Sequence, residues 1–190
     1  MAKTRERILT SAQDLFYRQG YHATVVNQII DSAGVSKPTF YNHFPSKEDL
    51  CVATLQRRRE SDLARFRLAV RACSTPYDRF MAPIRALKYR MVESEYRGCG
   101  FFNMLVEITD HKSPIVKEIR RFNDALRKML RDVTEDLANS GGEYAEIDID
   151  HVAAAYYLLI GGAIKFSQEY QEVWPLDLVE TEVARLVQRS

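Results

Sequence analysis

Gly34 places the tightest constraint on how this chain folds. It separates two short segments of helical period, each too brief to be stable without packing on a neighbour. The first segment carries Val26, Ile29, Ile30 and Ala33 on one face, with Thr24 at the capping position. Gly34 then supplies the left-handed residue that stops this helix without steric cost. The second segment opens at the capping hydroxyl of Ser36 and tolerates Pro38 in its first turn. It must end near Phe44-Pro45, because the residue before a proline disfavours helical geometry. Two such helices joined by the turn Ala33-Gly34-Val35 form a helix-turn-helix arrangement.

Elsewhere the apolar residues also recur at helical spacing, and no segment alternates as a strand over a useful length. Thr4 is placed to cap a first helix with Ile8, Ala12, Leu15 and Phe16 on one face, ended by Gly20. Ser46-Lys47-Glu48-Asp49 resembles a capping box with Asp in the Glu position, so a fourth helix starts there and meets no breaker until about Ser74. Thr75-Pro76 and Ser113-Pro114 each set a capping hydroxyl before a proline at the first helical position. Between them a stripe of Tyr77, Phe80, Ile84, Leu87 and Met91 is followed by the break Arg97-Gly98-Cys99-Gly100 and an apolar segment from Phe101 to Ile108. The helix after Pro114 runs to Ser140-Gly141-Gly142, a loop through Asp148 or Asp150 precedes a penultimate helix, and Trp174-Pro175 opens the last. The pattern predicts an all-α fold of nine helices without an internal repeat.

Charge is distributed unevenly. The 190 residues carry a net charge of +1, but residues 1–75 hold 12 Lys and Arg against 7 Asp and Glu, and the remainder is acidic. A basic first third suits an anionic partner such as nucleic acid. Lys3, Arg5 and Arg7 read as a basic arm. The first twenty residues contain no apolar signal core, and the longest uncharged apolar run, His151 to Ile164, is shorter than the ~20 residues a membrane span needs. Cys51, Cys73 and Cys99 fit neither a metal pattern nor a disulfide framework, which points to a reducing cytoplasm and to buried thiols. His22, His43, His111 and His151 are scattered, and no H-E-x-x-H, di-iron Glu-x-x-His pair, phosphate loop or G-x-S-x-G occurs. An enzyme, a metal site and a cofactor are therefore not expected.

The third helix holds the informative chemistry. Phe40 and Phe44 lie four residues apart and share a face that can pack on the first two helices. Lys37, Thr39, Tyr41, Asn42 and His43 then point elsewhere, offering a cation, hydroxyls, an amide and an imidazole without any acid. Such a surface suits phosphate oxygens and base edges. Thr24 and Lys47 bracket it at the N-termini of the second and fourth helices, where free N–H groups favour phosphate.

The text RERILTSAQDLFYRQGYHATVVNQIIDSAGVSKPTFYNHFPSKEDL, residues 5–50, resembles the tetracycline-repressor (TetR) family of bacterial transcription regulators. Gly20-Tyr21, Thr24, Ile29, Ala33-Gly34-Val35-Ser36, Tyr41, His43-Phe44, Lys47 and Leu50 stand where that family's pattern expects them, and GCGFFNMLVE at 98–107 looks like an element of one large branch. The resemblance implies a helix-turn-helix DNA-binding domain over 1–46, a connecting helix over 47–75 and an effector-binding and dimerisation domain over 76–190. It also implies a homodimeric repressor on a palindromic double-stranded DNA operator, released by a small-molecule effector. A TetR-like activator or an effector-independent regulator is the alternative. Carried over by position, Thr24, Ser36, Tyr41, His43 and Lys47 look like phosphate contacts, and Lys37, Thr39 and Asn42 look like base readers. Pro38 stands where many members have Gly, Asn42 where an aromatic is common, and Val26 where Thr is frequent.

Independently of any family, the segment 150–188 carries apolar stripes, and Ala153, Ala154, Ala155, Gly161, Gly162 and Ala163 permit close helix approach. These residues serve either a two-chain four-helix interface or burial within one chain. Asn103, Glu107 and His111 recur every four positions beside Phe102. They suggest an effector pocket with Arg85, Tyr89, Phe122 and Tyr156, or else a bundle surface or an internal bond to Arg85, Lys88 or Arg127.

Overall fold

The structure, a computed structural model, describes residues 2–188, among which nine α-helices, a 3-10 turn and no strand occur. The helices are α1 (Ala2–Gln19), α2 (Val26–Ala33), α3 (Lys37–His43), α4 (Lys47–Arg71), α5 (Pro76–Glu93), α6 (Gly100–Glu107), α7 (Pro114–Asn139), α8 (Ile149–Tyr170) and α9 (Trp174–Leu186). Thr4 does not cap α1, since the helix already includes Ala2 and Lys3, both strong helix formers. Among the described residues no helix is long and apolar enough to cross a membrane.

Packing divides the chain into two compact units. One unit takes the chain up to Glu60 together with Gly100–Phe122, and the other takes Ser61–Cys99 and the chain from Asn123 onward. The N-terminal unit thus recruits α6 and the first turns of α7. Its core joins Ile8, Ala12 and Phe16 of α1 to Ile29 of α2, Phe40 of α3, Leu50 and Leu55 of α4 and Phe101 of α6, all buried. Phe101 stacks on Phe122 with ring centres 3.9 Å apart. Two of three consecutive arginines on α4 extend this core with polar ties. Arg57 donates from Nε to Gln13 Oε1 at 2.9 Å and from Nη1 to Thr10 Oγ1 at 3.2 Å, and it also pairs with Glu6. Arg59 donates to the fully buried Glu118 of α7 at 2.7 Å. Arg57 and Arg59 are therefore spent on joints within this unit.

Cys51 is buried with its sulfur 3.8 Å from that of Met104, and burial pushes its thiol far above the ordinary range. Cys73 and Cys99 are only half-buried. The expectation of three buried thiols thus applies to Cys51 alone.

In the second unit α9 packs on both α5 and α8. Thr75 caps α5 by accepting the Asp78 N–H at 3.0 Å. The helix then runs through Pro83, whose missing N–H interrupts the backbone ladder. Tyr156 of α8 repairs this stretch: its hydroxyl accepts from Ile84 N at 3.1 Å and donates to Phe80 O at 3.2 Å. Asp148, not Asp150, caps α8, accepting the His151 N–H at 3.0 Å, whereas Asp150 pairs with Arg131.

Candidate nucleic-acid interface

The turn before α3 is held from both sides. Gly34 has φ +59° and ends α2, with its N–H and that of Val35 donating back to Asp31 O and Ile30 O at 3.1 and 3.2 Å. Arg7 of α1 caps the same turn, donating to Gly34 O at 2.9 Å and to Ala33 O. Arg5 lies 5.2 Å from the centre of the Phe44 ring. Arg5 and Arg7 thus belong to α1, remain exposed and touch the turn and the Phe44 ring.

Ser36 caps α3 by accepting the Thr39 N–H at 3.3 Å, and the two hydroxyls lie 2.7 Å apart. Phe40 is fully buried and Phe44 nearly so, 6.4 Å from each other between ring centres. With about 100° between successive residues, the direction opposite this apolar pair falls on Asn42, flanked by Pro38 and Thr39. Tyr41 and Lys37 lie on one border and His43 on the other. Burial follows that wheel: Lys37, Pro38, Tyr41 and Asn42 are exposed, and Thr39 and His43 half-exposed. Ser36, Lys37, Thr39, Tyr41, Asn42 and His43 are thus brought together on one acid-free helix that α1 and α2 brace from behind.

Thr24 and Lys47, also expected as phosphate contacts, are engaged within the protein. Thr24 has 0% exposure, and its hydroxyl donates to Gly20 O at 2.6 Å and accepts from Gln19 at 3.2 Å. Its side chain cannot reach a ligand, and Val25 rather than Thr24 is the N-cap of α2, with Gln28 accepting the Val25 N–H at 3.0 Å. Lys47 donates to Tyr21 O and Thr24 O, both at 2.9 Å, with its ammonium 4.3 Å from the centre of the Tyr21 ring. Two of its three N–H donors are thereby engaged, so Lys47 acts first as a tether between α4 and the α1–α2 turn. Burial pushes the Tyr21 phenol up to about 12, so the ring beneath that ammonium is neutral at physiological pH.

A third grip on the same turn escaped the sequence reading. Glu107, at the end of α6, accepts the N–H of Tyr21 at 3.1 Å on one oxygen and that of His22 at 2.9 Å on the other. Only the four-residue recurrence of Asn103 and Glu107 marked this position, and it could not reveal that the partners of Glu107 are backbone groups rather than Arg85, Lys88 or Arg127.

The residues expected to form an effector pocket divide between the two units: Phe102, Asn103, Glu107, His111 and Phe122 belong to the first, and Arg85, Tyr89 and Tyr156 to the second. Tyr89 is 70% exposed because the buried stripe of Phe80, Ile84, Leu87 and Met91 lies on the other side of α5. Phe102 and His111 are exposed, and Arg85 is ion-paired with Asp78 and Glu180. Tyr156 is consumed by the α5 backbone and Phe122 by Phe101. Asn103 and Glu107 line a cavity whose other walls come from α1 and α4. Among the described residues no group of three or more His, Cys, Asp or Glu could hold a metal ion.

The profile described as bacterial regulatory proteins, tetR family, matches residues 8–54, the segment from α1 into α4. Beyond it, the HTH-type transcriptional regulator LmrA of Bacillus subtilis is 35% identical over 187 residues, spanning 98% of this chain and 97% of LmrA. The chain belongs to the TetR family. A second relative, the HTH-type transcriptional activator FasR of Mycolicibacterium smegmatis, is 36% identical over 94 residues, which span 50% of this chain and only 42% of FasR. Among solved structures, a TetR transcriptional regulator from Chloroflexus aurantiacus superposes with a TM-score of 0.83 at 25% identity, covering 97% of this chain and 93% of that one. The segment that the profile matches, with its helix-turn-helix, lies in the N-terminal unit.

Proposed function

We propose that this TetR-family regulator is a homodimeric, cytoplasmic repressor that reads a palindromic operator with α3 and leaves it when a small molecule binds. The observation that carries the reading is the acid-free outer face of α3, seated on buried Phe40 and free of any partner helix over Pro38 and Asn42. Asn42 at the centre of that face suits adenine, and the Thr39 methyl suits that of thymine, since its hydroxyl is turned to Ser36. Lys37 and Tyr41 on one border and Ser36 and His43 near the others fit phosphate oxygens.

A second copy of the chain is the natural occupant of the outer face of α8 and α9. Ala154, Leu158, Gly161 and Lys165 form an exposed stripe on α8, and Trp174, Leu178, Thr181 and Arg185 form one on α9. A Cβ added at Gly161 or Gly162 would meet nothing within 4 Å. Those glycines therefore are not there to make room within the chain, and they suit close approach by another helix. Regulation in the direction named for FasR, activation, uses the same contacts and differs only in where the operator lies.

Selection of bound sequences from random duplex DNA tests the reading. The expected product is a palindrome with half-sites about one DNA turn apart, ~34–36 Å, bound with a steep loss on added salt. Recovery of unselected sequence would overturn it. Single variants separate the roles. Thr39→Ala or Asn42→Ala is expected to relax preference at particular base pairs, by about 1–3 kcal/mol each. Lys47→Met is expected to weaken all duplexes equally and to lower stability by about 1–3 kcal/mol, because it frees two carbonyls of the α1–α2 turn. Parallel titrations with operator and random duplex distinguish the two patterns, and a base-specific effect of Lys47→Met would reverse the assignment.

A further inference from the structure

We propose that the cavity walled by α1, α4 and α6 in the N-terminal unit binds a single-ring aromatic carboxylate carrying a hydrogen-bond donor opposite its acid group. The inference rests on the reading of the chain as a ligand-released DNA-binding regulator, and it puts the ligand inside the unit that carries the reading helix. The cavity holds about 170 Å³, and an apolar cavity of roughly 150 Å³ is known to take up benzene. Buried Phe16, Leu55 and Met104 give it apolar walls, beside the polar Gln13, Thr54 and Asn103.

Its two ends carry opposite charges. At one, the Arg58 guanidinium lies 4.7 Å from the centre of the Tyr17 ring and against the backbone of Gly100, where an added Cβ would come within 2.6 Å of Nη1. At the other, the Glu107 carboxylate lies against Gly20, where an added Cβ would come within 2.6 Å of Oε1. The two glycines let both ionic groups close onto the backbone. Gly100 and Glu107 are seven positions apart on α6, about 10 Å along its axis. One benzene ring with a hydrogen-bonded group at each end spans that length. The planar guanidinium fork matches a carboxylate, and the Glu107 oxygens accept from a hydroxyl or amine at the far end.

Occupancy has a direct consequence for DNA. The ligand donor competes for the carboxylate that holds the Tyr21 and His22 N–H groups, so binding loosens the turn that seats α2 and α3.

The test titrates 4-hydroxybenzoate into the full chain by calorimetry and then measures operator affinity by fluorescence anisotropy with the acid at saturation. The expected result is one molecule per chain, with 4-hydroxybenzamide at least about tenfold weaker because a charge-assisted bond is lost. Arg58→Gln should show the same loss, and operator affinity should fall about fivefold or more. Gly100→Ala, whose added methyl displaces the guanidinium, should weaken the acid but not the amide. Equal binding of acid and amide, or no heat at millimolar acid, overturns the site. Where Arg58→Gln fails to fold, the comparison of acid with amide on the unaltered chain decides alone. Acid binding with unchanged operator affinity overturns the effector role. A chain that binds operator but ignores the acid refutes the cavity proposal and leaves the regulator standing, whereas a chain that binds the acid but no DNA refutes the regulator.

Discussion

Phe40→Ala is expected to abolish operator binding and to lower stability by about 3–5 kcal/mol. Phe40 is one of the largest fully buried side chains and the only one that α3 contributes to the core. The helix has 7 residues, fewer than an isolated helix needs to persist in water. Its shape depends on what it packs against. Truncation to Ala leaves a cavity behind Phe44 and Tyr41, whose rings lie 6.4 and 5.2 Å from that of Phe40. Against a total of about 5–15 kcal/mol the loss is large. A chain of this length should melt roughly 10 °C lower or more. Thermal unfolding followed by circular dichroism, beside an anisotropy titration with operator, measures both effects. Full affinity at an unchanged melting temperature would mean that α3 is held by something other than this ring.

Leu158→Glu is expected to convert a dimer into a monomer and to cost roughly 10²–10⁴ in operator affinity. Leu158 is 70% exposed in the middle of the α8 stripe, one turn from Gly161 and Gly162. In a two-fold interface the same patch meets itself. A carboxylate there faces its own copy or a buried apolar wall, and neither offers a partner. The affinity loss follows because linking two half-site readers makes the second binding event intramolecular, and separation forfeits that gain. Sedimentation velocity reports the mass, and titration on a full operator and on a half-site reports the coupling. Monomers that bind the full operator as tightly as the unaltered chain would dismiss the two-reader arrangement, and a persistent dimer would dismiss this face.

The helix α3 was legible in sequence because each of its boundaries depends on a local rule. Gly34 takes the left-handed conformation, Ser36 caps, and Phe44 before Pro45 is extended with φ −139°. Its outward face follows from the position of Phe40 and Phe44 on the helical wheel. What stayed hidden depends on contacts distant in sequence. Nothing near Thr24 or Lys47 announces that their polar atoms are spent on Gly20, Tyr21 and Thr24 carbonyls. Nor does the run Arg57-Arg58-Arg59 reveal that it reaches toward α1, α6 and α7 in turn. The same holds for Tyr156, whose amphipathic position suggests a pocket wall but whose hydroxyl belongs to the backbone beside Pro83. Helical period marks which side of a helix is buried, and it is silent on which neighbour does the burying.

The discontinuous make-up of the N-terminal unit has a consequence for synthesis and for engineering. Its first fifty residues emerge from the ribosome long before Gly100–Phe122, yet the carboxylate that grips the Tyr21 and His22 amides and the ring that stacks on Phe101 arrive only with that later stretch. Complete packing of this unit is therefore expected only once the chain has been made through Phe122. A chimera that grafts this head onto a foreign C-terminal half must carry the 100–122 insert along with it.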